Sequence, residues 1–344
     1  MTDRFLRACR REPTDCTPVW FMRQAGRSQP EYRALRRRLS LEEIFRRPDL
    51  VAEVTVRPVE QLGVDAAIVF ADIILPLRSL GVAVDVCEGR GPVVAAPVRT
   101  ASAVEALRPW APDPETSGVL EGLRLASRAC PVPVIGFAGG PFTLACYLVD
   151  GGPSRDFPET RRLLHRDPAL WQALMARLTD ATIAYLRAQV AAGAHAVQVF
   201  DSWAGCLSPH DYARAVAPFM GRIFDALRAA GVPSIHFGTG TAGLLEAMAA
   251  CGGDVIGVDW RVRLADAWAR IGPRAIQGNL DPAAAVDDPA AMERAARAVL
   301  DDAAGRPGHI FNLGHGVLPQ TPPEHLRRLA EFVHEQTASA EVRA

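Results

Sequence analysis

The sequence predicts a single α/β domain over residues 1–344, closed into a (β/α)8 barrel of the TIM type. Short apolar runs recur along the whole chain, at 19–22, 66–70, 134–137, 196–200, 234–237, 255–258, 275–278 and 309–313, eight in all. From residue 134 onward the runs are followed by a small or polar cluster and then a helical pattern, the alternation of βα units on a parallel sheet. With 344 residues, 49% of them hydrophobic, the chain can bury one large α/β core. Eight such units suggest closure into a barrel.

The first run opens the stretch PVWFMRQAGR at 18–27. There the apolar residues stop, and Arg23 and Arg27 follow four apart around Gln24, Ala25 and Gly26. Gly26 permits backbone angles closed to other residues, which favours a tight loop over a helix start. Residues 31–45 read as one charged, partly amphipathic helix and 49–62 as the next, closed by Gly63. After the run at 66–70 the chain leaves the core at Ala71 and Asp72. Segments 82–86 and 93–98 are β-rich and flank Gly89, Arg90, Gly91 and Pro92, a hairpin excursion. Further helices are expected at 168–192, 209–230, 244–250, 290–304 and 323–336, and 339–344 reads as a frayed tail. No linker, low-complexity segment or repeat beyond the βα alternation interrupts this order.

Composition removes several classes of function. The formal net charge is -1, so bulk nucleic-acid binding is not expected and any anion site must be a local cluster. All 38 basic residues are Arg, which excludes a lysine Schiff base, lysine-anchored pyridoxal phosphate and a P-loop lysine. The seven cysteines are scattered and form no CxxC pair, as expected of a reduced, cytoplasmic chain. The opening MTDRFLRACRREP has no apolar signal core, and no run reaches the roughly 20 apolar residues of a membrane helix. No HxxxH, HExxH or clustered Cys/His spacing occurs, so no metal site is expected.

In a barrel the chemistry sits on loops after the C-terminal ends of the strands. Those positions hold Arg23 with Arg27, Asp72, a Gly139 and Gly140 turn with Thr143 and Tyr147 beyond it, Asp201 with Ser202, Gly238 with Thr239, Asp259, Asn279 with Asp281, and His315. Two guanidiniums beside a strand end suit a polyanionic small molecule, because each grips a carboxylate by two hydrogen bonds; a solvated basic turn reads equally well. Asp72, set among Phe70, Ile73 and Ile74, needs a positive partner or several N–H donors if buried, or else serves as a helix cap. Tyr147 is either a pocket hydroxyl or a core tyrosine. The stretch 238–243 matches GxGxxG and Asp259 follows on the next strand, the pattern of a dinucleotide site or simply of a tight turn. His236 lies inside a strand as an interior histidine, whereas His315, between two glycines after the last run, is the better functional candidate.

Four stretches together, PVWFMRQAGR, FADIILPLRSLG around Asp72, GFAGGPFTLACYLVDGG at 136–152 and FNLGHGVLP around His315, resemble the uroporphyrinogen decarboxylase family from about residue 18 to 320. The resemblance implies a single barrel, a cofactor-free homodimer, and trimming of the four acetates of uroporphyrinogen III to methyls in haem biosynthesis. It implies that Arg23, Gln24, Ala25, Gly26 and Arg27 contact the tetrapyrrole's carboxylates, that Asp72 holds the pyrrole N–H groups, and that Tyr147, Ser202 and His315 complete the pocket, with Asp72 and Arg23 as the catalytic pair. A related branch of zinc-dependent methyltransferases, acting with cobalamin, carries His-x-Cys near His236, where this chain has Gly238. Ala71 and Asp201 stand where relatives often have Ser and Glu. Two rivals are an NAD-type oxidoreductase built on 238–243 with Asp259, and a tetrapyrrole carrier without catalysis.

Overall fold

A computed structural model describes residues 3–26, 28–87 and 91–339. In chain order the strands are β1 (Ala67–Ile68), β2 (Val84–Cys87), β3 (Gly91–Val94), β4 (Val134–Gly139), β5 (Ala196–Phe200), β6 (Ser234–Phe237), β7 (Val255–Gly257), β8 (Ala275–Gln277) and β9 (His309–Ile310). Seven of them form one curled sheet in the order β1-β4-β5-β6-β7-β8-β9, with all neighbours parallel. The strands β2 and β3 pair antiparallel, the expected hairpin, ending at Val94 instead of running to 98. Its connecting Gly89 and Arg90 lie outside the described residues.

The run at 19–22 supplies the eighth position, reduced to a bridge. Val19 bridges Phe311 in parallel. Phe311 N donates to Pro18 O at 2.9 Å and Asp65 N donates to Val19 O at 2.7 Å, which ties β9 to β1 through this segment. Pro18 has no N–H to add to a ladder, and the chain turns away at Arg23, so regular pairing has little length in which to develop. Val19, Trp20 and Phe21 are all fully buried nonetheless. Across the barrel interior Trp20 Nε1 donates to Gln277 Oε1 and Gln277 Nε2 donates to Gln198 Oε1, both at 3.0 Å. Three buried polar side chains from separate segments are thereby linked, and only the Gln198 Nε2 at the end of this relay has no hydrogen-bond partner among the described residues.

Two expected helices are each split in the structure. Residues 31–45 form Pro30–Arg36 and Leu41–Phe45. The break is a capping box, in which Glu43 N donates to Ser40 Oγ at 3.1 Å and Ser40 N donates to Glu43 Oε2 at 2.6 Å. Residues 209–230 form Pro209–Ala215 and Ala217–Ala229, interrupted at Val216. Pro218 cannot donate to the turn before it, and its ring crowds the carbonyl four residues back.

The helices Pro48–Leu62 and Pro114–Ala129 cover β1 and β4 from outside, and the second lies close because two of its positions carry no side chain. A Cβ on Gly118 would overlap Phe45 O and lie 2.9 Å from Arg46 Cα, and one on Gly122 would lie 2.5 Å from Val51 Cβ. At Gly118 the obstruction is backbone, so no rotamer change relieves it. Gly118→Ala is therefore expected to destabilise the protein by about 1 to 3 kcal/mol, despite alanine's better helix propensity. A urea midpoint equal to that of the unaltered chain would show that the two segments have slack.

Candidate active site

At the C-terminal mouth of the barrel the loops after the closing segment, β1, β5 and β9 converge on a cavity open to solvent. Arg23, Ala25, Asp72, Ser202 and His315, predicted from sequence, all line it. Its wall is a row of rings. Phe137 of β4 meets Phe200 of β5 edge-on at 5.4 Å between centroids, Phe200 meets Phe237 of β6 at 5.7 Å, and Phe237 meets His315 at 6.3 Å. Because side chains alternate along a strand, Gln198 and Phe200 face inward while Asp201 turns the other way. The site is thus an apolar, aromatic-walled bowl with a few polar groups on its rim and floor, the usual form of a small-molecule pocket.

Asp72 is held by its own loop. Its Oδ1 accepts from Ile74 N at 3.1 Å and its carbonyl accepts from Leu75 N at 3.2 Å, just before the helix Leu75–Ser79. Asp72 does not cap that helix, whose N-cap is Ile74, and its turn places a half-buried carboxylate in the cavity lining. Among the described residues it is the one acidic side chain in the lining.

Arg23 is the one arginine in the lining among the described residues, and its backbone is unusual. It adopts φ +65°, a left-handed conformation that disfavours residues with a Cβ. Its charge reaches the neighbouring titratable groups. Burial first, then Arg23 and Arg261, pushes the His315 imidazole down to about 4, so His315 is neutral at pH 7 and cannot serve there as an imidazolium acid. Burial first, then the charge of Asp72, pushes the Tyr147 phenol up to about 12, with Arg23 opposing.

The depressed value at His315 makes a stability prediction with a definite sign. An unfolded histidine takes up a proton below about pH 6.5, while the folded one resists until about 4. Its contribution is complete above about 6.5 and is lost as pH falls toward 4. His315→Gln is expected to flatten stability against pH across that window by up to one proton's slope, read from urea unfolding at a series of pH values; an unchanged slope would contradict it.

Several predicted residues lie elsewhere. Gln24 is fully buried: its Oε1 accepts from Phe21 N at 2.9 Å and its Nε2 donates to Ala66 O at 2.9 Å. It joins the closing segment to the start of β1, and it is not among the residues that line the cavity. Gly26 is buried in the same loop, where its carbonyl accepts from Gln29 N at 3.0 Å. Tyr147 sits one layer behind the cavity, on the helix Pro141–Asp150, with its ring edge-on to Trp203 at 6.3 Å. Arg27 lies outside the described residues.

The GxGxxG stretch is a braced turn. Gly240 N donates to Asp259 Oδ2 at 2.7 Å, and the helix that follows begins only at Leu245. A carboxylate of the chain itself thus takes an amide that a dinucleotide phosphate would need, and no helix N-terminus stands at the turn to help. A Cβ on Gly205 would overlap Thr239 O, so the loop after β5 is packed against this turn. Thr239 Oγ1 also donates to Ser202 O at 2.6 Å. The motif's job is to seat the loop that carries Ser202.

Five contributors are not singled out by sequence reasoning. Phe137, Phe200 and Phe237 read as strand core. Trp203, packed on Phe157 at 5.1 Å between centroids, backs Tyr147 and buries an indole N–H with no hydrogen-bond partner among the described residues. Gly316 also lines the cavity.

Comparison with known proteins gives this geometry a context. The family model for uroporphyrinogen decarboxylase matches residues 1–336. A protein of Thermus thermophilus named uroporphyrinogen decarboxylase is 53% identical over 338 residues, covering 98% of this chain and 99% of that one. One of the same name from Streptomyces coelicolor is 52% identical, covering 97% and 94%. In fold, a methyltransferase from Methanosarcina mazei superposes with a TM-score of 0.75 at 21% identity, over 97% of this chain and 98% of that one, in keeping with a (β/α)8 barrel. Among the described residues no helix is long and apolar enough to cross a membrane. The chain belongs to the uroporphyrinogen decarboxylase family.

Proposed function

We propose that this chain converts uroporphyrinogen III to coproporphyrinogen III, releasing four CO2 as its four acetate side chains become methyls, with Asp72 and Arg23 carrying the chemistry. The observation that supports this most directly is a lone acidic side chain, among the described residues, in the lining of an aromatic bowl that also holds Arg23. A tetrapyrrole is a large apolar ring with anionic arms, and such a bowl offers flat faces to the ring and a guanidinium to an arm.

An acetate on a pyrrole loses CO2 only if the bonding electrons have somewhere to go. Protonation of the ring carbon next to the one that bears the acetate makes the pyrrole cationic. The C–CO2 bond then breaks, its electrons neutralise that cation through an exocyclic methylene, and a proton added to the methylene, with loss of the first proton from the ring carbon, gives the methyl on a neutral pyrrole. Asp72, directed at the pyrrole N–H groups, stabilises the positive ring before and during CO2 loss, a charge already in place and needing no reorganisation. The ring serves as its own electron sink, so the chemistry calls for no cofactor. His315, neutral at pH 7, acts as a hydrogen-bonding and packing group beside the ring, while Tyr147, protonated there, supports the wall from one layer behind. Ser202 lines the same wall.

Arg23 neutralises substrate carboxylates and orients them. Arg23→Lys keeps the charge and loses the two-pronged grip, so KM is expected to rise several-fold while the protein folds normally; an unchanged KM would remove the clamp role. Arg27 is assigned to the same clamp from its sequence position. The reading includes a cytoplasmic homodimer, for which light scattering at twice the chain mass is the check.

The experiment that tests the whole reading is anaerobic incubation with enzymically made uroporphyrinogen III, then chromatography of the oxidised products. Coproporphyrin is the expected product. Binding of porphyrinogen with no loss of carboxyl groups would favour a carrier.

A further inference from the structure

The geometry points to Gly316 as a positioning residue for Arg23, an inference that rests on the proposed grip of Arg23 on substrate carboxylates. A Cβ on Gly316 would lie 2.5 Å from Arg23 Cδ, 2.8 Å from its Cγ and 3.1 Å from its Nε. The stem of the Arg23 side chain thus crosses the space that a methyl group would fill. The backbone at Gly316 makes no demand for glycine, since its φ lies outside the positive region that other residues avoid. What keeps a side chain out is the arginine.

Of the two partners the loop is held, and the exposed arginine side chain is the one that can move. The loop carrying Gly316 is pinned on both sides: Gly314 N donates to Leu280 O at 2.7 Å and Val317 N donates to Met22 O at 2.8 Å. Asn312 Oδ1 accepts from Met22 N at 3.2 Å. On the opposite face Gly314 packs so closely on Trp260 that a Cβ there would lie 2.5 Å from its backbone N. Retreat of residue 316 would break these bonds or press the loop into Trp260. On the other side, the direction in which the Arg23 side chain leaves the backbone is set by its left-handed conformation. A methyl at position 316 is therefore accommodated by swinging the Arg23 side chain away from its place in the cavity lining.

Gly316→Ala is expected to raise KM for uroporphyrinogen III about tenfold, the loss of one charge-assisted contact, with a smaller change in kcat. A structural role unrelated to Arg23 would not produce that split. The same substitution is then made in an Arg23→Ala background, where the obstruction is gone. If Gly316 acts through Arg23 it adds nothing there. An equal KM penalty with and without Arg23 overturns the assignment, and so does a wild-type KM in the single variant. Thermal unfolding provides a readout independent of turnover: the midpoint lost by Gly316→Ala is expected to return when Arg23 is also truncated, and failure to return overturns the contact. Should Arg23→Ala alone leave KM unchanged, the carboxylate grip itself has failed, and the unfolding comparison then decides the positioning role without it.

Discussion

Asp72→Asn is expected to lower the turnover of uroporphyrinogen by ~10²-fold or more while leaving the fold intact. The magnitude follows from the removal of one preorganised charge or dipole aimed at developing transition-state charge. The fold is spared because asparagine still offers Oδ1 to Ile74 N, the bond at 3.1 Å that sets the turn before the helix Leu75–Ser79. What changes is the charge facing the cavity, where Asp72 is the one acidic side chain among the described lining residues. The comparison with Asp72→Ala separates two contributions: alanine loses the turn as well as the charge, so it is expected to lower both the thermal midpoint and the rate. Initial rates under anaerobic conditions, with product acids resolved by chromatography, provide the measurement. Near wild-type turnover by the asparagine variant would leave the ring cation stabilised by something other than this carboxylate.

Much of this site could be read from the chain because a parallel barrel converts sequence order into geometry. An apolar run ends, and the next polar residue sits at the mouth; Arg23, Asp72 and His315 each follow that rule and each line the cavity, whereas after β5 the first polar residue, Asp201, turns away and Ser202 behind it takes the place. Residues whose role depends on a distant partner were harder to place. Gln24 occupies the right loop, yet the carbonyl that takes its amide belongs to Ala66, 42 positions away. The direction of Phe137, Phe200 and Phe237 was hidden for a different reason: parallel strands are apolar on both faces, so a continuous run does not say which residues face the interior. Gly316 carries no side chain to signal anything, and its meaning appears only against the stem of Arg23. The break between Pro30–Arg36 and Leu41–Phe45 was legible all along in Ser40 and Glu43, spaced as a capping box. Charge density across 31–45 masked it by making the whole stretch look like one solvated helix.

Closure of the barrel depends on a second acid, at the opposite end from the cavity. Asp65 precedes β1, and its side chain is 5% exposed. Its Oδ1 accepts from Arg4 Nη1 at 2.7 Å, and its Oδ2 accepts from Val19 N at 2.7 Å and meets His334 Nε2 at 2.7 Å. One carboxylate thereby joins the first helix, the closing segment and the C-terminal helix Pro323–Thr337, three parts of the chain that no regular strand pairing secures. Asp65→Ala would leave Val19 N–H without its acceptor in a buried setting, and would remove one of the two carboxylates that Arg4 meets, Asp15 being the other. Removing one partner of a buried ion pair costs about 3 to 5 kcal/mol. The lower end, about 3 kcal/mol, is expected here, because the Arg4 and His334 side chains are 22% and 24% exposed and can rehydrate. Urea unfolding is the measurement, and activity per folded molecule should stay close to wild type, since no atom of Asp65 borders the cavity. Asp65→Asn should fall between the two, keeping an acceptor for Val19 N–H while losing the charge that Arg4 and His334 face. An alanine variant as stable as the unaltered chain would mean that the bridge between Val19 and Phe311 closes the barrel without help from the acid.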